Sequence, residues 1–232
     1  MAIQAVVFDA YGTLFDVYSI GALAEQLYPG QGAAISVMWR DKQIDYTRLI
    51  SLSDPHTPEG SHHYLSFWDI TRRALGYTLE RLQLDAKPDH IDALMGQYAK
   101  LTAFPENLGV LQALKHQGVT TAILSNGNTE MLQTAVQSAG MTEHLDHVIS
   151  VDGIRRFKTS PESYGLVEQT IDVLDRTNVL FVSSNGWDAL GATWFGFTTL
   201  WVNRQHLPFE TIGPRPTHMG HDLRKVLDIV NG

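Results

Sequence analysis

Five short apolar runs punctuate the chain, and the segments between most of them carry apolar residues three and four positions apart. The runs are Ala5-Val6-Val7-Phe8, Thr121-Ala122-Ile123-Leu124, His147-Val148-Ile149-Ser150, Val179-Leu180-Phe181-Val182 and Thr199-Leu200-Trp201-Val202. Runs this short suit strands buried on both faces. The stretches Glu130 to Ala139, Ser160 to Ile171 and Asp188 to Phe195 keep helical spacing. Strands alternating with helices predict βαβ units, a parallel sheet and an α/β fold. Right-handed crossovers then bring the strand C-terminal ends to one edge, where such sheets hold their sites.

The alternation fails between roughly Phe15 and Thr102. That block reads as helices only: Ile20 to Leu27, Ala33 to Leu52, Tyr64 to Leu82 and Asp89 to Leu101. An all-helical block after the first strand predicts an inserted cap domain over 16–101, with 1–15 and 102–232 forming the α/β core. Within the cap, the polar stretch Ser53 to His63 holds two Pro and a Gly and reads as a loop. The segment Asn203 to His221, with three Pro and two Gly, reads as a long surface loop.

Composition narrows the function classes. A length of 232 residues allows one α/β domain or a core with a smaller insert. Forty-four per cent hydrophobic and 18% charged residues mark an ordinary globular chain. Without cysteine there is neither a disulfide framework nor a thiolate metal site. The ten histidines, including the i, i+3 pairs His144/His147 and His218/His221, lack the companions a metal site needs. A net charge of −8, from 17 basic and 25 acidic residues, argues against nucleic acid as a partner. It leaves a small anionic substrate open, because a few lining charges set the field of a pocket. The start Met1 to Phe8 lacks the basic region and long apolar stretch of a signal peptide, and no run approaches a membrane span. The expected location is cytoplasmic.

The predicted strand ends carry the chemistry. Asp9 follows the first strand, with Gly12 and Thr13 close behind; Ser125-Asn126-Gly127 follows the second. Lys158 precedes the helix at Ser160, and Ser183-Ser184-Asn185-Gly186-Trp187-Asp188 follows a later strand. Each piece alone has a bland reading: Asp9 as a cap, Ser-Asn-Gly as a turn, Lys158 as a solvated lysine. Their joint placement on one sheet edge is not explained by turn chemistry.

These residues resemble the haloacid dehalogenase superfamily, and specifically the L-2-haloacid dehalogenases. The likeness lies in Phe8-Asp9-Ala10-Tyr11-Gly12-Thr13-Leu14-Phe15-Asp16, Trp39-Arg40-Asp41-Lys42-Gln43, Ile123 to Gly127, Phe157-Lys158 and Leu180 to Asp188, and runs from about Ala5 to Val202. It implies a Rossmann-like parallel-sheet core flanked by helices with an inserted helical cap, a homodimer, and no cofactor or metal. Phosphatases of the superfamily carry a second Asp two residues after the nucleophile as general acid; here that position is Tyr11. Halide leaves without a proton, so carbon–halogen cleavage does not need the acid. The family's metal site needs an acidic residue after the late strand, where this chain has Ser183-Ser184.

The resemblance also implies roles. Asp9 displaces halide from C2 and becomes an ester, and water activated by Asp188 hydrolyses it. Lys158 and Asn185 orient Asp188 and the water, while Ser183 and Thr13 aim the Asp9 carboxylate. The substrate carboxylate rests on Ser125 and the backbone of Ala10, Tyr11 and Gly12. Arg40 and Asn126 receive the halide. Tyr164 is either core packing or a hydrogen-bond partner in the site, and Tyr11, Phe67 and Trp187 form the apolar wall around the C2 substituent. Two departures stand out. Family members often have Gln where this chain has Asp41, a carboxylate able to draw Arg40 from the halide or repel an anionic substrate. The loop Asp54 to His63 is longer than usual, which bears on pocket size and closure. Two other readings remain at this point: a phosphatase-like hydrolase that tolerates loss of the second Asp, and a catalytically quiet anion-binding protein.

Overall fold

The computed structural model describes residues 3–54, 57–172 and 175–232. Six strands form one parallel sheet: β1 (Ala5–Phe8), β2 (Thr120–Ser125), β3 (His147–Ser150), β4 (Val179–Ser183), β5 (Thr198–Val202) and β6 (His218–Gly220), in the order β3-β2-β1-β4-β5-β6. β1 is central and wholly buried, as its uninterrupted Ala-Val-Val-Phe requires. It pairs with β2 through Val6↔Thr121 and with β4 through Val6↔Leu180. The strand order reverses at β1, so the crevice beyond the ends of β1, β2 and β4 is where an open α/β sheet places its site.

Among the described residues, four helices occupy the expected cap block after β1: α1 (Gly21–Leu27), α2 (Gly32–Ser53), α3 (Phe67–Arg81) and α4 (Pro88–Tyr98). The expected start of the third helix at Tyr64 moves to Phe67, because Ser66 caps it by accepting the Asp69 N–H at 3.1 Å. The return runs through α5 (Asn107–His116), α6 (Thr129–Ser138), α7 (Pro161–Thr170), α8 (Gly186–Phe195) and α9 (Lys225–Val230). No helix among the described residues is long and apolar enough to cross a membrane.

The chain departs from its pattern in the segment after β5. Asn203 to His221 is not loop throughout: His218–Gly220 adds a parallel edge strand to β5 through Trp201↔Met219. Three residues are too few to show alternation, and the prolines before them mask the strand. Pro55 and His56, within the expected loop, lie outside the described residues. The flanking part of that loop is fastened to the segment that leads to Lys158. Ser61 N donates to Arg155 O at 3.2 Å, Tyr64 Oη to Asp152 Oδ1 at 2.5 Å, and Phe157 N to Ser51 Oγ at 3.1 Å.

Helix α8 packs closely against the start of α7. A Cβ on Gly191 would come within 2.4 Å of Tyr164 Oη and 2.8 Å of Thr159 Cγ2. Alanine at an ordinary helix position gains roughly 1 kcal/mol over glycine, whereas overpacking costs roughly 1–3 kcal/mol. Gly191→Ala is therefore expected to lower the urea unfolding free energy by about 1–2 kcal/mol at unchanged m value; a stabilised variant would show that Tyr164 has room to move.

Candidate active site

The turn after β1 sets the first group. Asp9 N continues the ladder by donating to Val182 O at 2.9 Å, so the side chain leaves the sheet at its edge. Gly12, at φ +101°, turns the backbone, and a Cβ there would stand 3.3 Å from Asn185 Nδ2. Asp9, only 4% exposed, accepts three hydrogen bonds. Thr13 Oγ1 donates to Oδ2 at 2.9 Å, Asn185 Nδ2 to Oδ2 at 2.8 Å, and Lys158 Nζ to Oδ1 at 2.8 Å.

Lys158 lies 1% exposed beneath this edge. Its ammonium gives its other two bonds to Asp188 Oδ2 at 2.8 Å and Leu124 O at 3.0 Å. Burial pulls the ammonium down, but Asp188 and Asp9 outweigh that and hold its pKa above the ordinary lysine range. Asp188, in the first turn of α8, is fully buried and also accepts from Ser183 Oγ at 2.9 Å and Tyr164 Oη at 2.8 Å. Burial pushes its carboxyl up, Lys158 pulls it down, and the Asp9 charge pushes it up again.

Several expected contacts fall elsewhere. Ser183 does not aim Asp9; its hydroxyl donates to Asp188 and accepts from Asn185 N at 3.2 Å. Asn185 contacts Asp9 directly instead. Sequence fixes which residues end β4 but not the rotamers that divide them between two carboxylates 179 residues apart in the chain. Tyr164 is at once buried packing, edge-on to Phe181 at 5.6 Å, and a donor to Asp188. In the turn after β1, Gly12 N donates to Phe15 O at 2.8 Å, which leaves the backbone of Ala10 and Tyr11 for any anion. Ser125 is buried and accepts from Gly127 N at 3.0 Å, and Asn126 Oδ1 accepts from Lys158 N at 2.9 Å.

Arg40 enters from α2, nearly buried. Nη2 donates to Tyr11 O at 2.8 Å and Asn185 Oδ1 at 3.2 Å, and Nη1 to Gln43 Oε1 at 2.7 Å. Asp41 does not capture it: that side chain is exposed on the helix. Gln43 is held in turn by Thr71 Oγ1 at 2.5 Å and Tyr98 Oη at 3.1 Å, so three helices fix the guanidinium. Gln43, Thr71 and Tyr98 were not among the expected site residues. The i, i+3 spacing of Arg40 and Gln43 was the one available signal.

The apolar wall divides. Tyr11 and Phe67 are buried together, ring centroids 5.7 Å apart. Trp187 is not with them. It lines a cavity of about 570 Å³ that reaches Gly12, Arg40 and Asn185 and is bordered by neither Tyr11 nor Phe67. The Arg48 guanidinium lies 5.7 Å from its ring.

Because Lys158, Tyr11 and Tyr164 all hold their protons above the ordinary 10.5 and 10.0, the folded chain binds more protons than the unfolded chain in alkali. Stability is complete below about pH 10 and falls as pH rises, by up to about 1.4 kcal/mol per pH unit for each group. Lys158→Met should reduce that slope in alkaline urea titrations. It should also lose about 3–5 kcal/mol near neutrality by leaving two buried carboxylates unpaired. An unaltered slope would place the lysine outside the pair.

Comparison with known proteins identifies the family. The family model for haloacid dehalogenase-like hydrolases matches residues 3–196. An (S)-2-haloacid dehalogenase of Pseudomonas sp. (strain YL) is 40% identical over 227 residues, 98% of this chain and 94% of that protein. The crystal structure of an L-2-haloacid dehalogenase superposes with a TM-score of 0.95 at 53% identity, covering 100% of both chains. That of an L-2-haloacid dehalogenase from Xanthobacter autotrophicus with chloropropionic acid covalently bound gives 0.88 at 38% identity and 99% of both. With a buried Asp-Lys-Asp cluster at the switch point of a parallel sheet and a match over most of its length, this chain belongs to the haloacid dehalogenase-like hydrolases.

Proposed function

We propose that this chain hydrolyses short (S)-2-haloacids to (R)-2-hydroxyacids through an ester on Asp9. The observation that carries this reading is the Lys158 ammonium, 2.8 Å from both Asp9 and Asp188, at a sheet edge where Tyr11 replaces any second acid. The relatives named above support the substrate class. Residues 16–101 act as a cap that delivers Arg40 and Phe67, and 1–15 with 102–232 as the core.

In the first step a carboxylate oxygen of Asp9 attacks C2 in line with the carbon–halogen bond. A C–O bond forms, the C–X bond breaks, and its electron pair leaves with the halide, inverting C2. Thr13, Asn185 and Lys158 hold Asp9 in one orientation, so little reorganisation is needed to reach the attack geometry. Ser125 and the Ala10-Tyr11 backbone bind the substrate carboxylate, Phe67 and Tyr11 enclose the chain, and Arg40 with Asn126 takes the halide. Trp187 belongs to the approach from the 570 Å³ cavity rather than to the wall.

In the second step water attacks the ester carbonyl of Asp9 and passes a proton to Asp188. The tetrahedral intermediate collapses, the hydroxyacid oxygen takes that proton, and Asp9, now carrying one water oxygen, gives up the water's second proton to solvent and re-forms as a carboxylate, so one proton leaves with each halide. Ser183, Tyr164 and Lys158 position Asp188. A cation-dependent phosphoryl transfer fits less well: the lysine ammonium stands between the carboxylates, and no group of three or more His, Asp or Glu suited to a metal occurs among the described residues. Val37, Leu49 and Leu52, exposed on α2, fit a homodimer, which sedimentation velocity tests.

Halide release from (S)-2-chloropropionate should proceed at the same rate in excess EDTA and yield the (R)-hydroxyacid. Asp9→Asn should lower release by roughly ten-thousand-fold or more. After many turnovers in ¹⁸O water, mass spectrometry should find ¹⁸O in Asp9. An unlabelled Asp9 alongside normal turnover would refute the ester.

A further inference from the structure

Tyr11 carries a polar atom that the mechanism above does not use. Its hydroxyl is buried and has no hydrogen-bond partner among the described residues. Leaving a buried hydroxyl unpaired is unfavourable, and phenylalanine would fill the same space without that penalty. A hydroxyl left free at such a position is available to an atom that enters the site with a ligand.

The surroundings say which part of a ligand it meets. The Tyr11 carbonyl holds Arg40 Nη2 at 2.8 Å. The ring stacks on Tyr98 at 5.7 Å and 16°, and the Tyr98 hydroxyl pairs with Gln43, the residue that fixes Arg40. On its other edge, Tyr11 Cε2 lies so close to Gly127 that a Cβ there would approach to 2.7 Å, which puts the ring beside the Asn126-Gly127 turn. The phenol therefore lies between the network that holds Arg40 and the turn that carries Asn126, the two groups assigned to the halide. Tyr98, Arg40 and Asp9 are the groups whose charge acts on it, and burial first, then Tyr98 and Asp9, keeps it a neutral donor well above its ordinary range.

We propose that the Tyr11 hydroxyl donates a hydrogen bond to the departing halide, a third donor beside Arg40 and Asn126 that sets halogen preference; this rests on the dehalogenase reading above. As Asp9 forms the C–O bond and the C–X pair moves onto the halide, the phenol stabilises charge that exists only late in that step. No proton is transferred. The contribution is greatest for fluoride, which accepts hydrogen bonds most strongly, and smallest for bromide. It does not act in ester hydrolysis, where no halide is present.

The test compares wild type with Tyr11→Phe in single-turnover halide release from fluoro-, chloro- and bromoacetate, with the hydrolysis step followed separately by product formation. The loss should grow from bromide through chloride to fluoride, from under about threefold for bromide to about a hundredfold for fluoride. Hydrolysis of the ester should be unchanged, and the melting temperature no lower, because only an unpaired atom is removed. Equal loss for all three halides, a loss in hydrolysis, or no loss at all overturns the inference while leaving the dehalogenase reading in place. A wild-type enzyme that releases none of the three halides overturns both.

Discussion

An ammonium buried between two carboxylates organises this molecule. Taking a lysine out of water costs several kcal/mol, and Lys158 recovers it only by giving all three N–H groups to oxygen: Asp9, Asp188 and the Leu124 carbonyl. The two acids face the converse constraint, since like charges this close do not both stay ionised without a cation between them. Neither side of the arrangement is stable alone, so the geometry around Asp9 follows from electrostatics before any substrate arrives. Ser183, Thr13, Tyr164 and Asn185 then fill the remaining acceptor positions.

The sheet topology makes that meeting possible. β1 lies between β2 and β4, so Asp9 has the Ser125-Asn126 turn on one side and Ser183 on the other. Lys158 comes from beyond β3, one strand further out, and crosses the end of β2 to reach Asp9. Its backbone N–H bonds to Asn126 and its ammonium to Leu124, which anchors the crossing. The helical block closes the edge from the other direction, with Arg40 held to Tyr11 and Asn185 of the core and to Gln43 of its own helix.

Much of this was legible because strand ends are legible. Short runs such as Val179 to Val182 have one reading in a parallel sheet, and their C-terminal neighbours must share an edge. What failed to show were properties of rotamers and of facing helices. Ser183 turned to Asp188 rather than Asp9, and the Gln43, Thr71 and Tyr98 support for Arg40 spans three helices whose mutual packing no local pattern encodes. Trp187 follows the same limit: the resemblance placed it in the substrate wall, but the first turn of α8 carries it to a cavity that neither Tyr11 nor Phe67 borders. Helix α5 escaped notice although Val110, Leu111 and Leu114 carry the period, because Gly109 interrupts a short segment.

On the mechanism proposed above, the charge balance also orders the two chemical steps. Before reaction, Asp9 and Asp188 are matched by Lys158 and Arg40, and a haloacid adds a single negative charge. Alkylation moves one charge from Asp9 onto the halide, toward Arg40, and leaves a neutral ester. Asp188 then loses the neighbour whose charge raised its pKa, and Lys158 is left with one carboxylate instead of two. Esterification therefore favours the ionised form of Asp188, which a general base requires, at the point where there is an ester to hydrolyse. The same lysine that positions Asp9 for attack is thus left to Asp188 alone in the second step.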